Sequence, residues 1–179
     1  IVTEATVRLT AIPQGVETLL VLFDGVVAAC RAVGRIIRSG VVPAALEIVD
    51  RRTIEAVEAG VYAAGLPTTA GAVLIVELDG LPVNLAGEIE TIRAACEAEH
   101  CQAIEIARDE SERKRFWRAR KGALGAMGRL APDLYVHDAV VPRMHLPAIL
   151  ERVGEICDRH SLKLANVFHA GDGNLPPNI

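Results

Sequence analysis

The stretch "VETLLVLFDGVVAACRAVGRIIRSGVVPAALEIVD" (residues 16–50) decides the fold class. Residues 16–24 form an apolar run of strand length. The period then changes, because Val26, Cys30, Val33 and Ile37 recur at helical spacing. Asp24 stands where a helix cap belongs, and Gly40 where a helix stops. "PAALEIVD" (43–50) returns to a strand, so the stretch reads strand, helix, strand.

The alternation continues outward. A helix is expected over 51–65, a strand over 70–80 ("AGAVLIVELDG") and a helix over 82–100 with Leu85, Ile89, Ile92 and Cys96 on one side. A strand over 101–109 leads to a long helix over 110–130. A strand over 133–142, a helix over 144–160 and a last strand over 162–170 complete the series. "IVTEATVRLT" (1–10) alternates like a strand met in mid-fold. With no initiator Met, both ends read as cuts in a longer protein.

Such an alternation also suits a doubly wound parallel sheet. Two features argue against that. No G-x-G-x-x-G or Walker loop follows an early strand. The strands at 45–50, 103–107 and 133–141 carry polar residues at alternate positions, as a sheet with one wet face does. The expected class is α+β: ferredoxin-like βαβ repeats forming a largely antiparallel sheet, with helices packed on one face.

Composition narrows the function classes. Apolar residues make up 51% of the chain and aromatics only 3%, so the core is built from small aliphatics. A net charge of -4 gives no reason to expect nucleic acid, and no apolar run is long enough to span a bilayer. Cys30, Cys96 and Cys157 fall on helical apolar stripes and read as buried free thiols. Cys101 adds no zinc pattern. Free thiols favour a cytoplasmic compartment.

Two places carry candidate chemistry. On the long helix, Phe116, Arg120, Ala123, Met127 and Leu130 form an apolar stripe with an arginine inside it. A guanidinium there needs an anion, either an internal carboxylate or the carboxylate of a substrate. Gly122, Gly125 and Gly128 on the same helix imply close approach of a neighbour or a ligand. The second place is "NVFHAGDGNLPPNI" (166–179), where His169 ends a strand beside a glycine-rich turn, suited to a metal ligand or a base. His137 is a weaker candidate for the cleft of Arg120, His160 reads as a packed or helix-end residue, and His100 and His145 read as surface or cap positions.

Taken in order, "VPAALEIVDR", "VLIVELDG", "FWRARKGAL", "DAVVPRMHLP" and "NVFHAGDGNL" resemble the C-terminal domain of FAD-linked oxidases, nearest the glycolate oxidase and D-lactate dehydrogenase group. The resemblance implies that residues 1–14 end a flavin-binding domain and that 15–179 form a substrate, or cap, domain truncated at its C-terminus. It implies FAD held mainly by another domain, a small 2-hydroxy-acid substrate, and a cytoplasmic enzyme, peripheral to the inner membrane face in some settings. Other oxidase subunits or a second copy are implied partners. By the same resemblance Arg120 holds the substrate carboxylate, Asn178 lies close to substrate, His169 is the first histidine of a divalent-metal site, and Asp172 and Asn174 shape the turn. One position departs from the motif: Pro176 stands where the second histidine belongs. The alternative from fold alone is a non-catalytic ferredoxin-like module that binds a small ligand or a subunit.

Overall fold

A computed structural model describes residues 1–9 and 11–179. Six strands form one sheet in the order β4-β1-β3-β2-β6-β8, and every neighbouring pair runs antiparallel. They are β1 (Gly15–Phe23), β2 (Ala45–Asp50), β3 (Ala72–Gly80), β4 (Ala103–Ile106), β6 (Ala165–His169) and β8 (Pro177–Asn178). A small second pair joins β5 (Ala139–Val140) to β7 (Asn174–Leu175). The helices are α1 (Val26–Arg38), α2 (Arg51–Glu58), α3 (Pro82–Glu97), α4 (Glu110–Met127) and α5 (Leu146–Arg159).

The strand order β4-β1-β3-β2 with α1 and α3 as crossovers is the ferredoxin-like arrangement expected from residues 16–50. The helices do not all lie on one face, however. Leu19, Val21 and Phe23 of β1 pack with α1, α3 and α5, whereas Leu20 and Leu22 of the same strand pack with α2 and α4. Alternate residues of a strand point to opposite faces, so both faces are covered. On β2 the expected wet face fails because its polar residues are buried and paired, Glu47 being 4% exposed and Asp50 8% exposed, whereas Glu105 on the edge strand β4 stays exposed.

Asp50 illustrates how such a residue is held. It caps α2, accepting from Thr53 N at 2.9 Å, and takes Asn166 N and Nδ2 at 2.7 and 2.9 Å. Burial pushes its carboxyl up, and the hydrogen bonds from Thr53 and Asn166 pull against that shift. One side chain thereby ties the start of α2 to β6.

Four local expectations change. Residues 1–9 take no regular structure and stay exposed; they have no ladder partner among the described residues, and Thr10 lies outside them. The strand expected over 133–142 shrinks to β5, and its first half is held to the end of the chain only by a single bridge from Val136 to Asn178 with flanking backbone bonds of Tyr135 and His137 to Ile179 and Pro177. Helix α2 ends at Glu58 rather than 65, since the Glu58 carboxylate draws in Ala64 N, Gly65 N and Leu66 N at 2.9–3.0 Å and turns the chain back. Asp24 does not cap α1; its Oδ1 accepts from Gln102 Nε2, and Gly25 is the cap residue.

The buried thiols are as expected. Cys30, Cys96 and Cys157 are buried and unpaired, and burial pushes Cys30 and Cys96 up to about 12. The thiolate is the reacting species, so a raised value suppresses reaction at ordinary pH. Alkylation at pH 8 followed by peptide mass spectrometry is expected to modify Cys101 first, with Cys30 and Cys96 reacting only after denaturation.

The glycines of α4 report packing. A Cβ on Gly122 would sit 2.3 Å from the Tyr62 ring, so the loop after α2 lies directly on the helix there. Gly125 is in ordinary contact with the same ring, and Gly128 ends the helix. Gly122→Ala is expected to cost about 1–3 kcal/mol through overpacking. A thermal melt should fall by about 2–4 °C per kcal/mol, and Tyr62→Ala in the same chain should make the Gly122→Ala step nearly neutral.

Candidate functional site

The stripe of α4 lies over the sheet face formed by alternate residues of β2 and β6. Phe116, Ala123 and Met127 are buried in it, and Arg120 sits among them with its side chain 18% exposed. Glu47 on β2 pairs across the ladder with His169 on β6, so their side chains leave the same face. The three meet at one carboxylate. Arg120 Nε donates to Glu47 Oε2 at 2.7 Å, and His169 Nδ1 lies 2.5 Å from Glu47 Oε1.

The electrostatics follow from the burial. Glu47's side chain is only 5% exposed, whereas His169's is 57% exposed. A buried carboxylate without partners would be very costly, and here both oxygens are engaged. With Nδ1 as the donor, a neutral His169 has Nε2 as its free acceptor. Arg120 commits only Nε to the protein among the described residues, so its two terminal nitrogens retain their donors.

His169 and Glu47 also line an open cleft of about 510 Å³. Val42 and Pro43 give it an apolar wall, and Arg143 and Asp172 add charge. Arg143 Nη1 donates to Gly171 O at 2.9 Å and so braces the turn after β6. Within the turn, Asp172 Oδ1 accepts from Asn174 N at 3.0 Å, and Asn174 Nδ2 donates to Asp138 Oδ1 at 3.0 Å. Both residues therefore shape the turn directly.

The structure brings Arg120 and His169 together but keeps Asn178 apart. Asn178 pairs with Ala165, four residues before His169 on β6, a separation of roughly 13 Å by strand rise. Its Nδ2 donates to Ala165 O and Pro176 O, while its Oδ1 is buried without a partner. His137 is half-buried and stacks edge-on against Tyr135 at 4.5 Å. His160 is the exposed C-cap of α5, and His100 and His145 are exposed at helix ends. Glu47 escapes sequence reading: its polar place in "ALEIVD" suggests a wet face, and its partners stand 73 and 122 residues away.

By themselves the described residues do not complete a divalent-metal site, since His169 Nε2 is a single donor. Pro176 offers no donor, His169 Nδ1 is taken by Glu47, and that carboxylate also carries Arg120. Among the described residues no three His, Cys, Asp or Glu side chains gather as a metal site requires.

The model of the family described as FAD linked oxidases, C-terminal domain, matches residues 12–179. The chain belongs to this family. It is 41% identical over 179 residues to the Escherichia coli (strain K12) "Glycolate oxidase subunit GlcD", covering 100% of this chain and 36% of that protein. It is 24% identical over 182 residues to "D-lactate dehydrogenase [cytochrome] 1, mitochondrial" of Saccharomyces cerevisiae, covering 98% and 31%. The domain thus spans about a third of the length of these relatives. A solved alkyldihydroxyacetonephosphate synthase shares its fold, with a TM-score of 0.66 at 15% identity over 94% of this chain and 36% of that one. Among the described residues no helix is long and apolar enough to cross a membrane.

The turn that follows His169 depends on Gly173. Its φ is +82°, and a Cβ there would stand 2.2 Å from Val141 O. Val141 N in turn donates to Gly173 O at 3.0 Å. Gly173→Ala is expected to cost about 1–3 kcal/mol from strain and crowding. Hydrogen exchange should locate the loss of protection at Val141 and the β5–β7 pair, with β1 and β3 unaffected.

Proposed function

We propose that this domain binds the substrate of an FAD-dependent 2-hydroxy-acid oxidoreductase of the glycolate or D-lactate type. Arg120 grips the substrate carboxylate, and the domain orients C2 toward a flavin carried by another part of the enzyme. The observation that carries the reading is Arg120 itself: a guanidinium set in an apolar stripe, fixed through Nε, with its terminal donors uncommitted among the described residues. Family membership makes a small hydroxy acid the natural anion for it.

In this reading residues 1–14 finish the flavin-binding domain, and 15–179 are the substrate domain. FAD is held mainly by the flavin-binding domain in this reading, and the chain carries no G-x-G-x-x-G loop of its own. FAD, when bound by its own domain, supplies the hydride acceptor. The work left to these residues is binding and orientation. Two hydrogen bonds from one guanidinium edge fix the carboxylate plane, and fixed geometry lowers the barrier by removing freedom before reaction. His169 Nε2 accepts the hydrogen of the 2-hydroxyl. Asn178 acts through the turn, by holding β8 against β6. The partners are the flavin-binding domain and, in a multisubunit oxidase, its other chains. Unpaired cysteines favour a cytoplasmic setting, including one peripheral to the inner membrane face.

The test uses the full-length protein that carries this domain. Anaerobic addition of D- and L-2-hydroxy acids is expected to bleach the flavin with glycolate or D-lactate. Arg120→Ala should lower kcat/KM by about 10²-fold, roughly 3 kcal/mol of a charge-assisted pair, with KM rising. Unchanged kinetics in that variant would remove Arg120 from the site. A protein without flavin would favour the non-catalytic ferredoxin-like module.

A further inference from the structure

We infer that Glu47 is a positioning residue of this site, one carboxylate that fixes the direction of Arg120 and His169 together. The inference rests on the reading of Arg120 as the carboxylate anchor.

Glu47 occupies an expensive place. Its ladder neighbours are Ile75 on β3 and His169 on β6, and Val49 follows it on the same face. An apolar side chain would suit that surface, and buried ion pairs are often replaced by apolar groups without loss of stability. Two features set Glu47 apart from a merely structural ion pair. Its two oxygens serve different partners on different elements, Oε1 with His169 on β6 and Oε2 with Arg120 on α4. Exposure also rises outward from it, from 5% for the Glu47 side chain to 18% for Arg120 and 57% for His169. The carboxylate is the most buried member of the cluster, and His169 lies with Glu47 at the cleft while Arg120 is the intermediate, partly exposed member.

The geometry selects a binding mode. A guanidinium receives a carboxylate either along its Nε edge or end-on through its two terminal nitrogens. Glu47 occupies Nε, which leaves the end-on fork for substrate. The same carboxylate holds His169 by Nδ1 and turns Nε2 outward. Substrate orientation and the histidine acceptor are therefore set by a single buried group. Loss of that group frees both side chains without removing either, so the damage falls on the reacting geometry more than on affinity.

The experiment compares Glu47→Gln and Arg120→Ala in the full-length, flavin-loaded enzyme. Glu47→Gln is expected to lower kcat by about tenfold or more while KM stays within about threefold, the split of a positioning defect. Oxalate binding, followed by the flavin spectrum, should change by no more than about threefold, with thermal melting near that of the parent. Arg120→Ala should weaken oxalate instead. An unchanged kcat in Glu47→Gln beside a damaged Arg120→Ala overturns the positioning role and leaves the anchor reading intact. No effect of Arg120→Ala on oxalate or kinetics overturns both. A Glu47→Gln enzyme that loses stability but keeps its kcat per bound flavin marks Glu47 as structural only. Should that variant not load flavin, Glu47→Asp keeps the charge and shortens its reach. A lowered kcat in a normally melting Glu47→Asp protein supports the inference, and an unchanged kcat overturns it.

Discussion

Covering both faces of one antiparallel sheet is the constraint on which the rest depends. Every residue of a central strand then points into one of two cores, and a polar side chain on such a strand has no water to turn to. The buried polar residues of this domain are accordingly few, and most have named partners. Thr18 donates to Glu77, Asp50 gathers Thr53 and Asn166, and Glu47 gathers Arg120 and His169. The first two kinds of contact stitch elements together. The last joins an arginine and a histidine beside the cleft of about 510 Å³.

The contrast between Asp50 and Glu47 separates support from site. They lie three residues apart on β2, and both are buried. Asp50 receives two backbone amides and an asparagine, all neutral donors inside the fold. Glu47 receives an arginine and a histidine, groups whose chemistry suits an acid substrate. A buried carboxylate among neutral donors closes a structure. One that holds a cation and an imidazole beside a cleft organises charge around a place where a molecule can enter.

Much of this was legible in the sequence. The helical stripes and the strand run at 70–80 gave the sheet its elements, and the arginine within the apolar stripe of α4 announced a guanidinium in need of an anion. The layer arrangement was not legible, because alternation of polar and apolar residues looks the same whether the polar face meets water or a second layer of helices. At residues 133–142 the alternation of Leu134 and Val136 imitates a long strand, yet pairing is confined to the bridge from Val136 to Asn178 and to Ala139–Val140. Arg120 left two anions open, and the structure supplies an internal one while leaving the outer donors free. Glu47 stayed hidden for a plainer reason: no local pattern links residues brought together by the sheet.

The long spacing of those partners bears on how the domain comes into being. Residues 15–106 complete the ferredoxin-like half, with β2 already paired to β3. Arg120 and His169 belong to the C-terminal half, and β6 joins β2 across a large span of chain, the kind of non-local contact that slows folding. Glu47 thus precedes its partners in the chain by 73 and 122 residues. A partly folded chain holds an unmatched carboxylate at the growing edge of the sheet, which opposes burial until α4 and β6 dock. The cluster that organises the site therefore exists only where the two halves of the domain are docked: without α4 and β6 in place, Glu47 has neither its cation nor its imidazole.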